Sequence, residues 1–143
     1  MTVIFSKKCE LALQAVLYLS ALKPLEMKSA REIADDLKAP KEFVAKILQI
    51  LALNKIINSR KGKNGGFFLK KQPSEIRLID VVLAIDGLEI FHKCVLGFPG
   101  CSPDNPCPLH EKWGKLRDET YNMLSGTNLE EIRDITLKKI FNL

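Results

Sequence analysis

Metal-binding side chains are concentrated in residues 91–113, which read FHKCVLGFPGCSPDNPCPLHEKW. Three of the chain's four cysteines lie there, spaced Cys94-x6-Cys101-x5-Cys107, and His110 follows after two further residues. Thiolates and imidazoles are ligands for zinc and for iron–sulfur clusters. The intervening Gly, Pro, Ser, Asp and Asn residues favour neither helix nor strand, so we expect a metal centre to fix the shape of this segment.

The spacing favours an iron–sulfur cluster over structural zinc. Zinc sites more often use paired Cys-x2-Cys knuckles, and here only the pair Cys107 and His110 has that separation. Iron–sulfur clusters accept wider spacing, and histidine replaces cysteine on one iron in some of them. Zinc, a metal-free thiol switch, and a His110 that is an ordinary surface residue stay open as alternatives.

No catalytic residue is predicted. The chain has no Ser-His-Asp context, and residues 62–63 lack the GxxxxGK[ST] pattern and the following helix of a phosphate-binding loop. A nucleophile built from Cys107 and His110 would need a pocket that the sequence does not indicate. Cys9 and His92 are interpreted as structural residues. We therefore expect neither an enzyme nor a small-molecule substrate.

Composition predicts a globular chain that acts inside the cell. The 143 residues are 46% hydrophobic and 27% charged, and no run of 18 apolar residues could span a membrane. Residues 11–22 are apolar and follow two lysines, but no small-residue cleavage site comes after them, so we interpret them as a buried helix rather than a signal peptide. A cytoplasmic location is expected, where thiols stay reduced and clustered cysteines indicate metal or redox chemistry.

The positive charge is local. The formal net charge is +5, and between Lys55 and Lys71 every charged residue is Lys or Arg, whereas residues 111–131 carry both signs. An excess of this kind favours a polyanionic partner.

Three helices are predicted in the first part of the chain. Ser6 can cap the first, which runs to about Leu22. Its apolar residues lie on nearly all sides, so it should occupy the centre of the core. Ser29 and Glu32 form a capping box that opens the second helix, which ends near Leu37. The third spans residues 40–53 and begins with proline at its first position.

The third helix has two contrasting faces. Its apolar face consists of Val44, Ile47, Leu48 and Leu51, and its opposite face consists of Glu42, Ala45, Lys46 and Gln49. Two short helices joined by a tight turn, the second with a polar outward face, predict a helix-turn-helix, with a generic helical hairpin as the alternative.

A basic β-hairpin is predicted directly after these helices. Residues 56–60 and 67–69 are β-type runs, and Asn64 and Gly65 between them tolerate the positive φ of a tight hairpin turn. A helix-turn-helix followed by a basic hairpin is a winged helix. We therefore predict that the protein binds double-stranded DNA.

The second half is predicted to contain a short strand at residues 76–78, a helix at 79–85 and a long helix after the cysteine loop. On the long helix a seam with heptad-like spacing comprises Leu109, Trp113, Leu116, Thr120 and Met123. Such a seam favours pairing with a second copy, and docking onto the chain's own core is the alternative. A second capping box, Thr127 and Glu130, is expected to open the final helix.

The predicted fold class is therefore mainly α, with a winged helix-turn-helix domain and a long dimerisation helix. We place the DNA-binding domain at residues 1–87, the cysteine-rich cluster-binding loop at 88–108, and the dimerisation and C-terminal helices at 109–143.

Five motifs together resemble one known family. They are Ser6 with Glu10–Ala15, the helix pair at 29–53, Arg60–Phe67 (RKGKNGGF), Asp80–Gly87 (DVVLAIDG), and the three-cysteine loop leading into Trp113. In this order they are similar to the IscR/NsrR type of bacterial iron–sulfur transcription regulators, the Rrf2 family, over nearly the whole chain.

The resemblance implies a homodimer with two winged helices, long crossing dimerisation helices and a cluster near the DNA-binding domains. In the IscR-like branch the cluster is a 2Fe-2S centre held by three cysteines and one histidine, which correspond here to Cys94, Cys101, Cys107 and His110. In other branches a carboxylate near the start of the first helix, contributed by the partner subunit, completes the cluster. Glu10 occupies that position here and is the alternative fourth ligand.

We expect the third helix to enter the major groove and the wing to reach phosphates or the minor groove. The predicted DNA-contacting residues are Lys41, Glu42, Phe43, Lys46, Gln49, Arg60, Lys61 and Lys63. A dimer would recognise a pseudo-palindromic operator with half-sites roughly 10 base pairs apart. The cluster would set DNA affinity in response to redox state, nitric oxide or iron–sulfur supply.

Overall fold

Helices make up most of the chain, and one two-stranded antiparallel sheet accompanies them. The computed structural model describes residues 4–141, leaving out the side chain of residue 141. The elements are α1 (Lys7–Ser20), α2 (Ala30–Leu37), α3 (Lys41–Leu53), β1 (Ile57–Arg60), β2 (Gly66–Leu69), α4 (Leu78–Ile85), α5 (His110–Gly126) and α6 (Leu129–Phe141). Short 3-10 turns lie at Pro73–Glu75 and Glu89–Phe91. The predicted mainly helical class with a two-strand wing is confirmed. Among the described helices, none combines the length and apolar character needed to cross a membrane.

Helix α1 lies at the centre of the core, as its apolar pattern predicts. Its buried residues are Cys9, Leu11, Ala12, Ala15, Val16, Tyr18, Leu19 and Ser20. The Ser6 hydroxyl accepts a hydrogen bond from the Cys9 backbone N–H (3.0 Å) and caps the helix start. The helix ends at Ser20 rather than Leu22, because the N–H of Leu22 donates to the carbonyl three residues earlier and tightens the last turn.

The α2–α3 pair forms the predicted helix-turn-helix. The Ser29 hydroxyl accepts from the Glu32 N–H (3.1 Å), while the Glu32 carboxylate accepts from the Ser29 N–H (3.1 Å). Lys38 has φ 55° and turns the chain between the helices. Pro40 has an extended ψ of 130° and stands just before α3, not at its first helical position. The apolar face of α3 is buried in the main core, as predicted.

The wing turn differs from the prediction. Strands β1 and β2 pair from Ile57 with Leu69 to Arg60 with Gly66, which leaves a five-residue connection instead of a two-residue turn. Positive φ occurs at Gly62 (112°) and not at Asn64, because the N–H of residue 65 donates to the Gly62 carbonyl (3.1 Å) and closes a wider loop.

Glycine is required where the wing meets the segment before α2. Lys28 exchanges backbone hydrogen bonds with Phe67, at 3.2 and 2.7 Å. A Cβ on Gly66 would lie 2.7 Å from the Lys28 carbonyl group, closer than a side chain allows. The close approach holds the base of the wing against the helix-turn-helix.

Two predicted boundaries in the second half were wrong. Residues 76–78 do not form a strand, because the Asp80 carboxylate accepts from the Arg77 N–H (2.9 Å) and starts α4 at Leu78. The capping box before α6 is one residue later than predicted and uses Asn128 and Glu131.

The buried and exposed residues of α3 should contribute differently to the stability of the fold. Leu48 is fully buried and Leu53, on the same helix, is 81% exposed. We expect Leu48→Ala to lower the free energy of unfolding by about 2–5 kcal/mol, since it removes buried surface and leaves a cavity. Chemical denaturation measures both variants, with Leu53→Ala as the matched control. Equal losses would contradict this placement of the core face.

Candidate metal centre and nucleic-acid interface

Three cysteine sulfurs converge in the loop between α4 and α5. The sulfurs of Cys94, Cys101 and Cys107 all lie within 4.8 Å of one another. Those of Cys94 and Cys107 are 3.3 Å apart, and the Cys101 sulfur lies 3.3 Å from Nδ1 of His110. All four residues are half-buried. The loop thus brings the thiols to one point and places the imidazole against one of them.

The start of α5 and the turn at Glu89–Phe91 hold the two ends of this loop. The indole N–H of Trp113 donates to the backbone carbonyl of Lys93 (3.0 Å), next to the first cysteine. The ring of Phe91 packs edge-on against Tyr121 with centroids 5.4 Å apart. Because Trp113 lies one helical turn after His110, a single helix positions the imidazole and also fixes the loop.

The cysteine thiols differ in pKa. Partial burial raises the pKa of Cys94, but hydrogen bonds from the Cys107 thiol and from backbone N–H groups lower it to about 7. The pKa of Cys107 is raised, first by its bond to Cys94 and then by partial burial. Burial, followed by the nearby Asp86 carboxylate, raises the pKa of Cys9 to about 12. Since the thiolate is the metal-binding form, the loop offers a ligand near neutral pH that Cys9 does not.

The donor set fits a thiolate-rich metal centre. Within the described part of the chain, the three loop cysteines form a group of potential metal ligands whose sulfur atoms all lie within 4.8 Å of one another. His110 contacts one of them, whereas Glu10, in the first turn of α1, lies 3.5 Å from the Lys7 ammonium. Three thiolates with one imidazole suit either a zinc ion or an iron–sulfur cluster.

The predicted DNA-contacting residues fall on two exposed surfaces. On α3, Lys41, Glu42, Lys46 and Gln49 are exposed, and in the wing Arg60, Lys61 and Lys63 are exposed. Phe43 differs from the others, because its side chain is half-buried and packs against the main core. The arrangement presents one polar helix face and one basic hairpin on the same domain.

The predicted dimerisation residues are divided between solvent and the cysteine loop. Leu109, just before α5, and Leu116 and Met123 on α5 are exposed. The Thr120 hydroxyl donates to the Leu116 carbonyl (2.7 Å). Trp113 is half-buried against the loop through its bond to Lys93. The exposed leucines and methionine form an apolar strip without a cover in the described chain.

Sequence reasoning missed the residues that attach α5 to the rest of the protein. Leu124 is buried and packs in a small cluster with Cys9, Ile79 and Val82, which joins α5 to α1 and α4. It directly follows Met123 and so lies off the predicted seam, which is why a heptad pattern does not reveal it.

Asp86 is a second residue whose role was not predicted, although it lies in the motif Asp80–Gly87. Its carboxylate accepts from the backbone N–H of Ser6 (3.0 Å) and from the Ser6 hydroxyl (2.5 Å). The contact joins the end of α4, just before the cysteine loop, to the start of α1. The sequence signals are Ser6, recognised as a helix cap, and the motif that contains Asp86, and neither indicates that the two residues pair.

Known sequences that are similar to this chain are transcriptional regulators. The profile of one family, described as Rrf2, iron-dependent transcriptional regulator, matches residues 5–135. An HTH-type transcriptional regulator of Aquifex aeolicus is 34% identical over 140 residues, covering 96% of each chain. The regulator IscR of Photorhabdus laumondii is 31% identical over 90 residues, which are 63% of this chain and 54% of that protein.

Known structures match the fold. CymR, the global cysteine regulator of B. subtilis, superposes with a TM-score of 0.79 at 20% identity, covering 94% of this chain and 98% of CymR. IscR of T. potens gives a TM-score of 0.70 at 18% identity, covering 90% and 84% of the two chains. At these identities the likeness concerns the fold alone.

Proposed function

The chain belongs to the Rrf2 family of transcriptional regulators, and we propose that its affinity for DNA is set by an iron–sulfur cluster in the cysteine loop. It is a regulator and not an enzyme. The observation that carries the proposal is the convergence of three thiols, contributed across a loop of little regular structure, to within 4.8 Å. The site of action is the cytoplasm, where DNA and reduced thiols are both present.

The proposed ligands of the cluster are Cys94, Cys101, Cys107 and His110. The proposed type is a 2Fe-2S centre, because the resemblance to IscR-like regulators implies that type for three cysteines and one histidine. The donors form two close pairs, since Cys94 lies beside Cys107 and Cys101 lies beside His110, each at 3.3 Å. When bound, such a centre supplies one-electron redox chemistry and reactivity toward oxidants and nitric oxide. A metal-free thiol switch is the second candidate, favoured by the short Cys94–Cys107 distance.

His110 is the proposed fourth ligand in preference to Glu10. We expect His110→Ala to change the visible spectrum and to speed cluster loss in air by about tenfold or more, as loss of a ligand weakens a site more than loss of its supporting contacts. Glu10→Gln, which keeps the shape of the side chain, should leave both unchanged. Absorption spectroscopy of the anaerobically purified variants measures this. A changed spectrum in Glu10→Gln with an unchanged one in His110→Ala would assign the ligand to the partner's carboxylate instead.

Trp113 positions the loop through its bond to Lys93. We expect Trp113→Phe, which keeps an aromatic ring but removes the N–H donor, to accelerate cluster loss by about tenfold, in the range found for contacts that orient metal ligands. The cluster should still form, so the initial spectrum reports that the protein is folded and loaded. Phe91→Leu serves as a control for aromatic packing alone. If Trp113→Phe loses its cluster at the wild-type rate, the hydrogen bond has no positioning role.

DNA recognition is assigned to α3 and to the wing. Glu42, Lys46 and Gln49 are placed at base edges in the major groove, and Lys41, Arg60, Lys61 and Lys63 at phosphates or the minor groove. Their exposure on one domain supports this division. Phe43 packs against the main core and stabilises α3 from that side, so we assign it at most a contact at the edge of the DNA interface.

A homodimer is proposed through α5. The apolar strip of Leu109, Leu116 and Met123 supports pairing with a second copy, since exposed apolar patches of this kind mark interaction sites. We retain the division into residues 1–87, 88–108 and 109–143, whose first three and last two residues lie outside the described chain. Leu129 of α6 is buried in the main core, so the last helix stabilises the winged domain as well.

A chain of contacts joins the cysteine loop to the core helix α1, which packs against the proposed DNA-reading helix α3 in the main core. The Asp86–Ser6 hydrogen bonds and the cluster of Cys9, Val82 and Leu124 connect α1, α4 and α5. Gly87 has φ 72° and lies between Asp86 and the first residue of the cysteine loop. A change in the loop can therefore shift how α5 places the two winged domains of a dimer.

Anaerobic purification with iron, sulfide and visible-absorption analysis tests this function. We expect a coloured protein with iron and sulfide in a ratio near one to one, as in 2Fe-2S centres. A colourless protein with stoichiometric zinc would establish the zinc alternative. Absence of any metal, with DNA binding that follows oxidant and reductant, would establish the thiol switch.

A further inference from the structure

A concave surface lies behind the wing, between the end of α1, the wing strands and α6. Its volume is about 650 Å³, and no residue of the cysteine loop lines it. The apolar part of its lining includes Leu19, Leu22, Met27, Phe68 and Leu69. This volume lies in the range of sites that bind small molecules. We call it the wing pocket.

The wing pocket has an excess of positive charge. Its cations are Lys23, Arg60, Lys70, Lys71 and Arg133, and its acids are Glu26 and Glu75, so five positive charges meet two negative ones. Glu26 accepts from the Lys23 backbone N–H (3.2 Å), and Glu75 accepts from the Gln72 backbone N–H (3.1 Å). Both carboxylates are thus held in local turns. In the described chain, no ion pair joins these cations to a carboxylate.

We propose that the wing pocket binds a small organic anion with an apolar body, such as a medium-chain carboxylate. The apolar lining would take the hydrocarbon part, and Arg133, half-buried on α6, would bind the anionic head. Guanidinium groups bind carboxylates with two parallel hydrogen bonds, which favours an arginine over the surrounding lysines as the anchor. A neutral ligand would gain no attraction from this positive charge, so the charge favours an anion.

Occupancy of the pocket opposes DNA binding. Arg60 is the last residue of β1, lines the wing pocket and belongs to the proposed DNA-contacting set. An anion that engages Arg60 withdraws it from the DNA backbone, so anion and DNA lower each other's affinity by the same factor. This effect on DNA rests on the proposed role of the wing, whereas the binding of the anion rests on neither the wing's role nor the cluster.

Octanoate is the probe for the site, and 1-octanol is its uncharged match. We expect octanoate to shift amide resonances of residues 19–27 and 66–72 saturably in the ¹⁵N-labelled full-length protein, without DNA. Arg133→Gln should weaken octanoate binding at least about tenfold. Lys139→Gln, the same charge change on an exposed residue of α6, should leave the dissociation constant within about twofold. Wild-type-like amide spectra of both variants show that the fold is intact.

Three results would overturn the proposal. They are non-saturable octanoate binding, equal binding of 1-octanol, and equal dissociation constants for Arg133→Gln and Lys139→Gln. If octanoate does not bind but Arg133→Gln weakens DNA binding as Lys63→Ala does, the surface contacts DNA phosphate and the anion site is wrong. Because the octanoate titration contains no DNA and compares proteins with equal cluster content, its failure is distinguishable from failure of cluster-controlled DNA binding.

Discussion

Cys101→Ala should abolish visible absorption and bring bound iron and sulfide close to zero in anaerobically purified protein. Cys101 is the middle thiol of the loop, and its sulfur lies 3.3 Å from the His110 imidazole and within 4.8 Å of the other two sulfurs. Its removal takes a ligand from one close pair and leaves Cys94 and Cys107 as the remaining thiols. Two thiolates with an imidazole no longer provide the four ligands that a 2Fe-2S cluster needs.

Cys9→Ala is the matched control for this experiment. Cys9 is fully buried, and burial raises the pKa of its thiol to about 12, so it is a small core residue rather than a ligand. We expect this variant to keep the full spectrum and iron content. A full cluster in Cys101→Ala, or a lost cluster in Cys9→Ala with intact folding, would overturn the ligand assignment.

Lys46→Ala should weaken specific DNA binding strongly. Lys46 is exposed on the polar face of α3, and a good side-chain contact to a base edge contributes about 1–3 kcal/mol of discrimination. That loss corresponds to roughly five- to 150-fold in the dissociation constant for each half-site. Fluorescence anisotropy with an operator isolated by in vitro selection measures it.

Salt dependence separates base recognition from phosphate contact in this variant. Loss of a base contact leaves the slope of the logarithm of affinity against the logarithm of salt concentration nearly unchanged. Loss of one phosphate contact reduces the steepness of this slope by about 0.9. Lys139→Ala, on the exposed side of α6 outside the proposed contact set, should bind as wild type does. Equal binding by Lys46→Ala and wild type would remove α3 from the recognition surface.

Local signals predicted much of the fold. Ser6 capping α1, the reciprocal bonds of Ser29 and Glu32, and the buried apolar face of α3 all depend on residues within a few positions of one another. Helix caps and helical periodicity involve residues that are close together in the sequence, so a sequence pattern can reveal them.

Features that depend on distant residues were not predictable. The Asp86 carboxylate binds Ser6 across 80 positions, and Leu124 joins α5 to a cluster with Cys9 that no seam pattern reveals. The start of α6 was placed one residue early because Thr127 and Asn128 are both good capping residues. In the structure the Thr127 hydroxyl donates to the Met123 carbonyl (2.8 Å), which leaves the cap to Asn128.

The cysteine loop shows the same division. Its ligand types and spacing indicated a metal centre, whereas the close pairing of Cys94 with Cys107 and of Cys101 with His110 required the fold of the loop. The bond from Trp113 to Lys93 was also hidden, because a tryptophan at heptad spacing is typical of a helix seam.

The dissociation constant of the DNA complex, measured for cluster-loaded and cluster-free protein across a range of salt concentrations, tests the central claim most directly. We expect the two forms to differ by about fivefold or more at every salt concentration, a coupling of about 1 kcal/mol or larger. The variant Cys101→Ala should bind as the cluster-free form does. Identical dissociation constants for the loaded and cluster-free protein at every salt concentration would contradict control of DNA binding by the cluster.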